Sequence, residues 1–266
     1  MTIERIGLSR VEETMLFTLY GRALDARSAS PVLGDRWADD VLRRIGPVSP
    51  KVRMTAADRF LTVLRARRMD GWTRAFLAGH PDATVLQLAC GLDSRAFRID
   101  VPAGARWFDV DLPEVVDLRR RLYPAREGYT TIAASVTGAG WLDRVPTDRP
   151  TLVVAEGLLM YLAEADVDRL LRRLTGRIPR GELIFDVMPP SIARLARLAG
   201  YTLWGLADPH ELERRNPRLT LVEDAPVVAD YELIPLRRYR AAYALLSRVP
   251  VIRDTIRPLR YRVGAG

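Results

Sequence analysis

The sequence predicts an α/β fold built on a doubly wound, mostly parallel sheet. Three observations lead there. No strand candidate precedes Thr84, so the first 80 or so residues are helical. From Thr84 onward, apolar strand candidates alternate with short helical segments, the pattern of parallel βαβ units. The run Thr151-Leu-Val-Val-Ala155 has no polar alternation, as expected of a central strand covered on both faces.

Ser9-Arg-Val-Glu12 reads as a capping box, with Glu12 reaching back to the Ser9 amide. It opens a helix to about Arg27, whose Val11, Met15, Leu16, Leu19 and Ala23 form an apolar stripe at helical spacing. Pro31 breaks the chain, and a short helix at about 35–45 is closed by Gly46-Pro47. Thr55 caps a longer helix that runs through Phe76-Leu77 and ends at Gly79-His-Pro81. Strand candidates follow at 84–89, 106–110, 129–134, 151–155 and 182–187, with helices at about 93–99, 113–122 and 163–176.

After Asp186 the pattern loosens. Residues 190–206 look helical and strongly apolar, and 208–218 are charged and punctuated by proline. The last strand candidates are 218–223 and 259–263, separated by a helical or irregular stretch at about 236–256. The expected organisation is a helical cap over 1–80 and a sheet domain over 81–266, forming one compact unit. An insertion at about 188–218 would cover the substrate from beyond the strand ends.

Composition narrows the function classes. Lys51 is the only lysine, so 40 of the 41 basic residues are arginine. That skew reads as coding bias, and the arginines are spread among acids, so the net charge of +8 does not call for a nucleic-acid partner. No apolar run suggests a signal peptide or a membrane span, and one cysteine, Cys90, permits no internal disulfide. A cytoplasmic protein without a membrane partner is expected. One cysteine with His80 and His210 offers no metal-ligand spacing, so no metal is expected either.

The richest stretch is 84–111. The first apolar strand ends at Ala89-Cys90-Gly91, and the second ends at Asp111, 20 residues after Gly91 (111 − 91). Glycine admits close approach to the backbone, and a carboxylate at the next strand tip can accept both ribose hydroxyls. Dinucleotide sites want G-x-G-x-x-G, and this turn has one glycine. A nucleoside cofactor without pyrophosphate therefore fits better, and S-adenosylmethionine is the obvious candidate. Asp109 and Asp111 point the same way along the strand. Pro113 suits a first helical position, so Asp111 could equally be a helix N-cap. The buried strand ending at Ala155 delivers Glu156, an acid that needs a cationic partner: the cofactor's ammonium or an arginine.

Several segments together carry a resemblance: Glu13-Thr-Met-Leu-Phe-Thr-Leu-Tyr-Gly-Arg-Ala-Leu24, Val85-Leu-Gln-Leu-Ala-Cys-Gly-Leu-Asp-Ser-Arg95, Trp107-Phe-Asp-Val-Asp-Leu-Pro-Glu-Val115, Ala133-Ala-Ser-Val136 and Val154-Ala-Glu-Gly-Leu-Leu-Met-Tyr161. The chain resembles the leucine carboxyl methyltransferase family, in particular its bacterial branch of polyketide-type O-methyltransferases. The resemblance implies a Rossmann-like class I methyltransferase fold with S-adenosylmethionine as cofactor. It places the cofactor's carboxylate on Arg65, with Arg67 second, and its ribose on Asp111 and neighbouring Leu112. It places the adenine on Ser135-Val136, and the amino end on Glu156 and Gly157. Relatives often carry glycine where this chain has Ala89, and family members proper have aspartate at Ser135.

Methyl transfer to a carboxylate needs no general base, whereas a phenol or alcohol would. The scarcity of bases favours a carboxylate of a small molecule or peptide, with Tyr161 or water as the base in the alternative. Tyr20, Met188, Trp204 and His210 are candidate substrate liners. Other readings are a nicotinamide oxidoreductase, a silent S-adenosylmethionine-binding protein, and a nucleic-acid methyltransferase. The last would be expected to carry an Asn/Asp-Pro-Pro-aromatic run where Glu156-Gly-Leu-Leu stands.

Overall fold

The computed structural model describes residues 10–46, 54–198 and 200–264. Ser9 and Pro47 lie outside them, as does the Glu12 side chain, and with them the first capping box and the proline stop. Three helices come first: α1 (Arg10–Ala26), α2 (Arg36–Ile45) and α3 (Ala56–Gly79). Thr55 caps α3 reciprocally. Its Oγ1 accepts from the Asp58 amide at 3.1 Å, and the Asp58 carboxylate accepts from the Thr55 amide at 3.0 Å.

The alternating part contains β1 (Thr84–Leu88), α4 (Arg95–Arg98), β2 (Arg106–Asp111), α5 (Pro113–Leu122), β3 (Tyr129–Ala133), β4 (Thr151–Ala155), α6 (Glu164–Arg177) and β5 (Gly181–Val187). Then follow α7 (Pro190–Leu198), α8 (His210–Arg215), β6 (Leu219–Asp224), α9 (Arg237–Leu246), α10 (Pro250–Arg253) and β7 (Arg257–Val263). The sheet order is β3-β2-β1-β4-β5-β7-β6, all parallel except β7, which runs antiparallel to β5 and β6. This is the doubly wound α/β sheet expected from the alternation of strands and helices. All five residues of β1 and of β4 are buried, because apolar layers cover both faces. Val85, Leu152 and Val154 pack with Met69, Trp72 and Phe76 of α3, while Leu86, Val153 and Ala155 pack with Leu170, Leu171 and Leu174 of α6.

Four local readings change. The helix expected at 93–99 is the single turn α4, because the Asp93 carboxylate is tied to Gln87, Arg22 and Arg98. The helix expected at 190–206 ends at Leu198. Gly200 then takes a left-handed φ of 80°, and the amides of Trp204 and Leu206 donate to Met160 and Met188 carbonyls at 2.8 and 2.9 Å. The charged stretch 208–218, given no element from the sequence, contains α8, whereas 236–256, read as helical or irregular, contains the helices α9 and α10 in keeping with that reading. Finally, Leu112, not Asp111, sits at the N-cap of α5, with Pro113 behind it as read from the sequence.

The topology positions the site. Strands β1 to β5 all end at one edge of the sheet, and α3 crosses β4 and β5. Helix α1 packs on α2 and α3, and its Leu16 and Leu19 share a cluster with Leu92 beside the glycine turn.

Candidate active site

At the tip of β1 the chain turns through two left-handed residues, Ala89 (φ 47°) and Gly91 (φ 49°). The Gly91 amide donates to Asp111 Oδ2 at 2.7 Å, and the Leu112 amide donates to Asp111 Oδ1 at 2.8 Å. Each carboxylate oxygen thus accepts one bond and keeps a lone pair for another donor. Burial raises the Asp111 pKa, and the two amides oppose that rise. A methyl group on Gly91 would come within 3.2 Å of Met15 Cγ, so α1 closes directly over the turn. Beneath it, Arg119 of α5 donates to the carbonyls of Gly91 (2.7 Å) and Asp93 (2.8 Å) and pairs with Asp109. Asp109 also accepts from Trp107 Nε1 at 2.8 Å and Tyr129 Oη at 2.6 Å. Two acids on one strand therefore differ: Asp109 is consumed in the scaffold, and Asp111 is presented at the edge.

The second half of the site is a buried ionic cluster. Glu156, at the tip of β4, is gripped by Arg65 Nε at 3.0 Å and Arg95 Nη2 at 2.6 Å. Arg65 also pairs through Nη1 with Asp186 at 3.0 Å, and Asp186 accepts from the Gly157 amide at 2.6 Å. Arg95 pairs with Asp70 at 2.7 Å and Asp93 at 3.1 Å. Arg98 joins Asp70, Asp93 and Asp35, and Arg22 reaches down from α1 to Asp93 and the Leu92 carbonyl, both at 3.0 Å. Apart from solvent-exposed Arg74, which stands near Asp70, the cluster sets five carboxylates (Asp35, Asp70, Asp93, Glu156, Asp186) against four guanidiniums (Arg22, Arg65, Arg95, Arg98). That leaves one negative charge in excess.

Burial works against ionisation of Glu156, but Arg65 and Arg95 outweigh it and lower its pKa. The same balance lowers Asp93 and Asp70, with Arg95 and Arg98 as the main partners. At Asp186 burial prevails over Arg65 and the Gly157 amide, and its pKa rises. The lowered Glu156 has a pH consequence. Its stabilisation is complete above its ordinary value of 4.5 and is lost as pH falls through the lowered value. Glu156→Gln is expected to remove that part of the acid loss, so its melting temperature falls less steeply than wild type below about pH 4.5. An unchanged slope would mean that Glu156 contributes nothing to acid unfolding.

The remaining expected residues divide clearly. Ser135 and Val136 follow β3 at the same edge. The Ser135 hydroxyl is exposed and 2.9 Å from Thr137 Oγ1, and Val136 is buried, its carbonyl accepting from Trp141 Nε1. Gly157 has a left-handed φ of 65°, and a methyl there would stand 3.6 Å from the Arg65 guanidinium. Tyr161 is 45% exposed, within electrostatic reach of Arg65. Met188 packs with Met160, Ile192 and Leu203, and Trp204 is bonded to Met160 through its amide. The stretch after α7 is thereby fastened to the turn that follows Glu156. Tyr20 lies half-buried in the cap cluster with Leu92. Arg67 donates to the Val32 carbonyl. His210 faces solvent and holds Glu213 at 2.5 Å, while His80 lies at the opposite sheet edge, bonded to the Phe76 carbonyl.

Arg22, Asp35, Asp70, Asp93, Arg95, Arg98, Arg119 and Asp186 are residues of this arrangement that sequence reasoning missed. Asp186 carried a readable signal, since it is an acid in an apolar strand, the same argument that singled out Glu156.

Comparison with known proteins shows the family and the fold. The family model for leucine carboxyl methyltransferase matches residues 16–175. The chain is 47% identical over 270 residues to the tetracenomycin polyketide synthesis O-methyltransferase TcmP of Streptomyces glaucescens, covering 97% of this chain and 98% of that one. It is 37% identical to the S-adenosyl-L-methionine-dependent methyltransferase dpfgK of Gibberella zeae, covering 85% and 86% of the two chains. Its fold matches a crystal structure described as a candidate methyltransferase from Thermobifida fusca, with a TM-score of 0.59 and 18% identity over 92% of this chain and 94% of that one.

Proposed function

The chain belongs to the leucine carboxyl methyltransferase family and is an S-adenosylmethionine-dependent methyltransferase, and we propose that it methylates a carboxylate on an apolar small molecule or peptide. The proposal includes the cofactor contacts at the strand-end edge.

That edge fits an S-adenosyl cofactor. Asp111 keeps one lone pair on each carboxylate oxygen for the ribose hydroxyls. Ala89 and Gly91 bring backbone, not side chain, to the nucleoside. Ser135 and Val136 would flank the adenine beyond β3. Glu156, held ionised, suits an ammonium, and Arg65 with Gly157 suits the adjoining carboxylate. The cofactor supplies an electrophilic methyl group on sulfonium sulfur.

The protein's own contribution is alignment. Rigid placement of reacting groups can supply roughly 7–11 kcal/mol. A carboxylate arrives already ionised at neutral pH, so no residue has to remove a proton. The observation carrying the carboxylate reading is the placement of the candidate bases. His80 is at the far edge, His210 is bound to Glu213 in solvent, and the edge acids are engaged by arginines or backbone amides. Tyr161 beside Arg65 is the base a phenol acceptor would use, and that is the second reading. The polyketide context of TcmP supports a bulky, apolar acceptor under the 188–218 segment, lined by Met188 and Trp204.

Incubation with methyl-labelled cofactor and paired carboxylic and phenolic acceptors tests the reading. The expected product releases its label as methanol in mild alkali, as a methyl ester does. An alkali-stable label would instead assign an ether and a phenol acceptor. Cofactor binding without any transfer across the panel would favour a silent binding protein.

A further inference from the structure

Two connections leave the sheet at the edge that carries Gly91 and Asp111. One follows β5 and the other follows β6, which is parallel to β5 because both run antiparallel to β7. Each contains a long stretch without acid, bounded by Asp208 in the first and by Glu232 and Asp254 in the second. Residues 187–207 and 233–253 contain no Asp or Glu, although the chain has 33 acids in 266 residues, about one in eight. Together they contain seven arginines, all exposed, and they supply nine of the eleven large hydrophobic side chains exposed among the described residues. Leu198 is 86% exposed, Leu245 64%, Leu195 62% and Val251 55%. The tip Val249-Pro-Val-Ile252 is exposed throughout and bracketed by Arg248 and Arg253. Arg253 is held at 2.7 Å by Asp254 and Arg240 donates to the Ile234 carbonyl, while the guanidinium of Arg238 lies over the Tyr239 ring.

The bias toward arginine over lysine is general to this chain and carries no weight here; the local absence of acid does. Aliphatic side chains projecting among arginines, of which only Arg253 is paired with a carboxylate among the described residues, suit a partner that is apolar inside and anionic outside. An isologous contact with a second copy would bring these like charges together, which is unfavourable. From their emergence at one sheet edge we infer that the exposed residues of α7 and of α9–α10 dock peripherally on an anionic lipid surface, with the aliphatic tips at the acyl boundary and the arginines at the headgroups. No helix among the described residues is long and apolar enough to cross a membrane, so the contact is a surface one. The site would then open toward the bilayer. The inference rests on the fold and these exposed residues, whatever the acceptor proves to be.

Cosedimentation with vesicles tests it, using phosphatidylcholine with about 30% phosphatidylglycerol against pure phosphatidylcholine. Binding to the anionic vesicles is expected to be at least about tenfold stronger and to collapse near 0.5 M salt, where the screening length is only a few ångströms. Two variants divide the contributions: Arg237→Gln with Arg238→Gln and Arg248→Gln, and Val251→Asp with Ile252→Asp. Each is expected to lose most of the vesicle binding while keeping wild-type affinity for S-adenosylhomocysteine, which reports an intact fold. Absence of vesicle binding, or equal binding to both compositions, overturns the proposal. So does a salt-resistant dimer that the Val251/Ile252 variant abolishes, or binding to an acidic protein with none to vesicles.

Discussion

Asp111→Ala is expected to lower affinity for S-adenosylhomocysteine by about 100-fold or more. Two hydrogen bonds from ribose hydroxyls to an ionised carboxylate contribute about 1.5–3 kcal/mol each, and every 1.4 kcal/mol is tenfold in affinity. Asp111 also accepts from the Gly91 and Leu112 amides, so the same change leaves two backbone donors without their partner. Some stability is lost with it, on the order of 1–3 kcal/mol. Asp111→Asn separates the effects, because its amide oxygen can still accept from one backbone donor while the charge is gone. A melting curve beside each titration distinguishes a lost ribose contact from a collapsed turn. Wild-type affinity in a folded Asp111→Ala protein would remove the ribose assignment.

Arg65→Ala carries the second large effect, and here the structure adds a role to the one that the resemblance implies. The resemblance makes Arg65 a contact for the cofactor's carboxylate, and on that reading its loss weakens binding by about 1.5–3 kcal/mol. In the fold, Arg65 bridges Glu156 and Asp186, with all three side chains at most a tenth exposed. Burial opposes its charge, yet Asp186 and Glu156 raise its pKa and keep it cationic. Truncation leaves Asp186 with no guanidinium and Glu156 with Arg95 alone. Breaking a buried pair in this way costs about 3–5 kcal/mol of stability, which for a chain of this size lowers the melting temperature by roughly 10 °C. Arg65→Lys keeps the charge but not the two-sided fork, so it is expected to fall between wild type and alanine. An unchanged melting temperature for Arg65→Ala would show that the cluster is not a structural element.

The sheet was legible because each of its strands carries a local signal. Polar alternation is absent from Thr151–Ala155, and that absence alone marks a strand covered on both faces; the structure buries all five residues. Gly91 and Asp111 were legible as a pair because spacing along two adjacent parallel strands becomes proximity at their tips. The Gly91 amide does lie 2.7 Å from Asp111. The ionic cluster was not legible, because its members come from α1, the N-cap of α2, α3, the glycine turn, α4 and the tips of β4 and β5. Only the closed fold brings Arg22 to Asp93, 71 residues away, or Arg65 to Asp186, 121 residues away. The end of the helix after Pro190 was also beyond local reading. Its apolar residues continue past Leu198 at helical spacing, and the backbone leaves the helix because Met160 and Met188 carbonyls offer partners from other elements.

Calorimetric titration of the purified protein with S-adenosylhomocysteine, with NAD as the control, addresses the central assignment most directly. Saturable binding of the homocysteine nucleoside in the micromolar range, none of NAD, and loss of the signal in Asp111→Ala are the predicted results. Equal binding by wild type and Asp111→Ala, or binding of neither nucleoside by a folded wild-type protein, would contradict the placement of the cofactor at the Gly91–Asp111 edge.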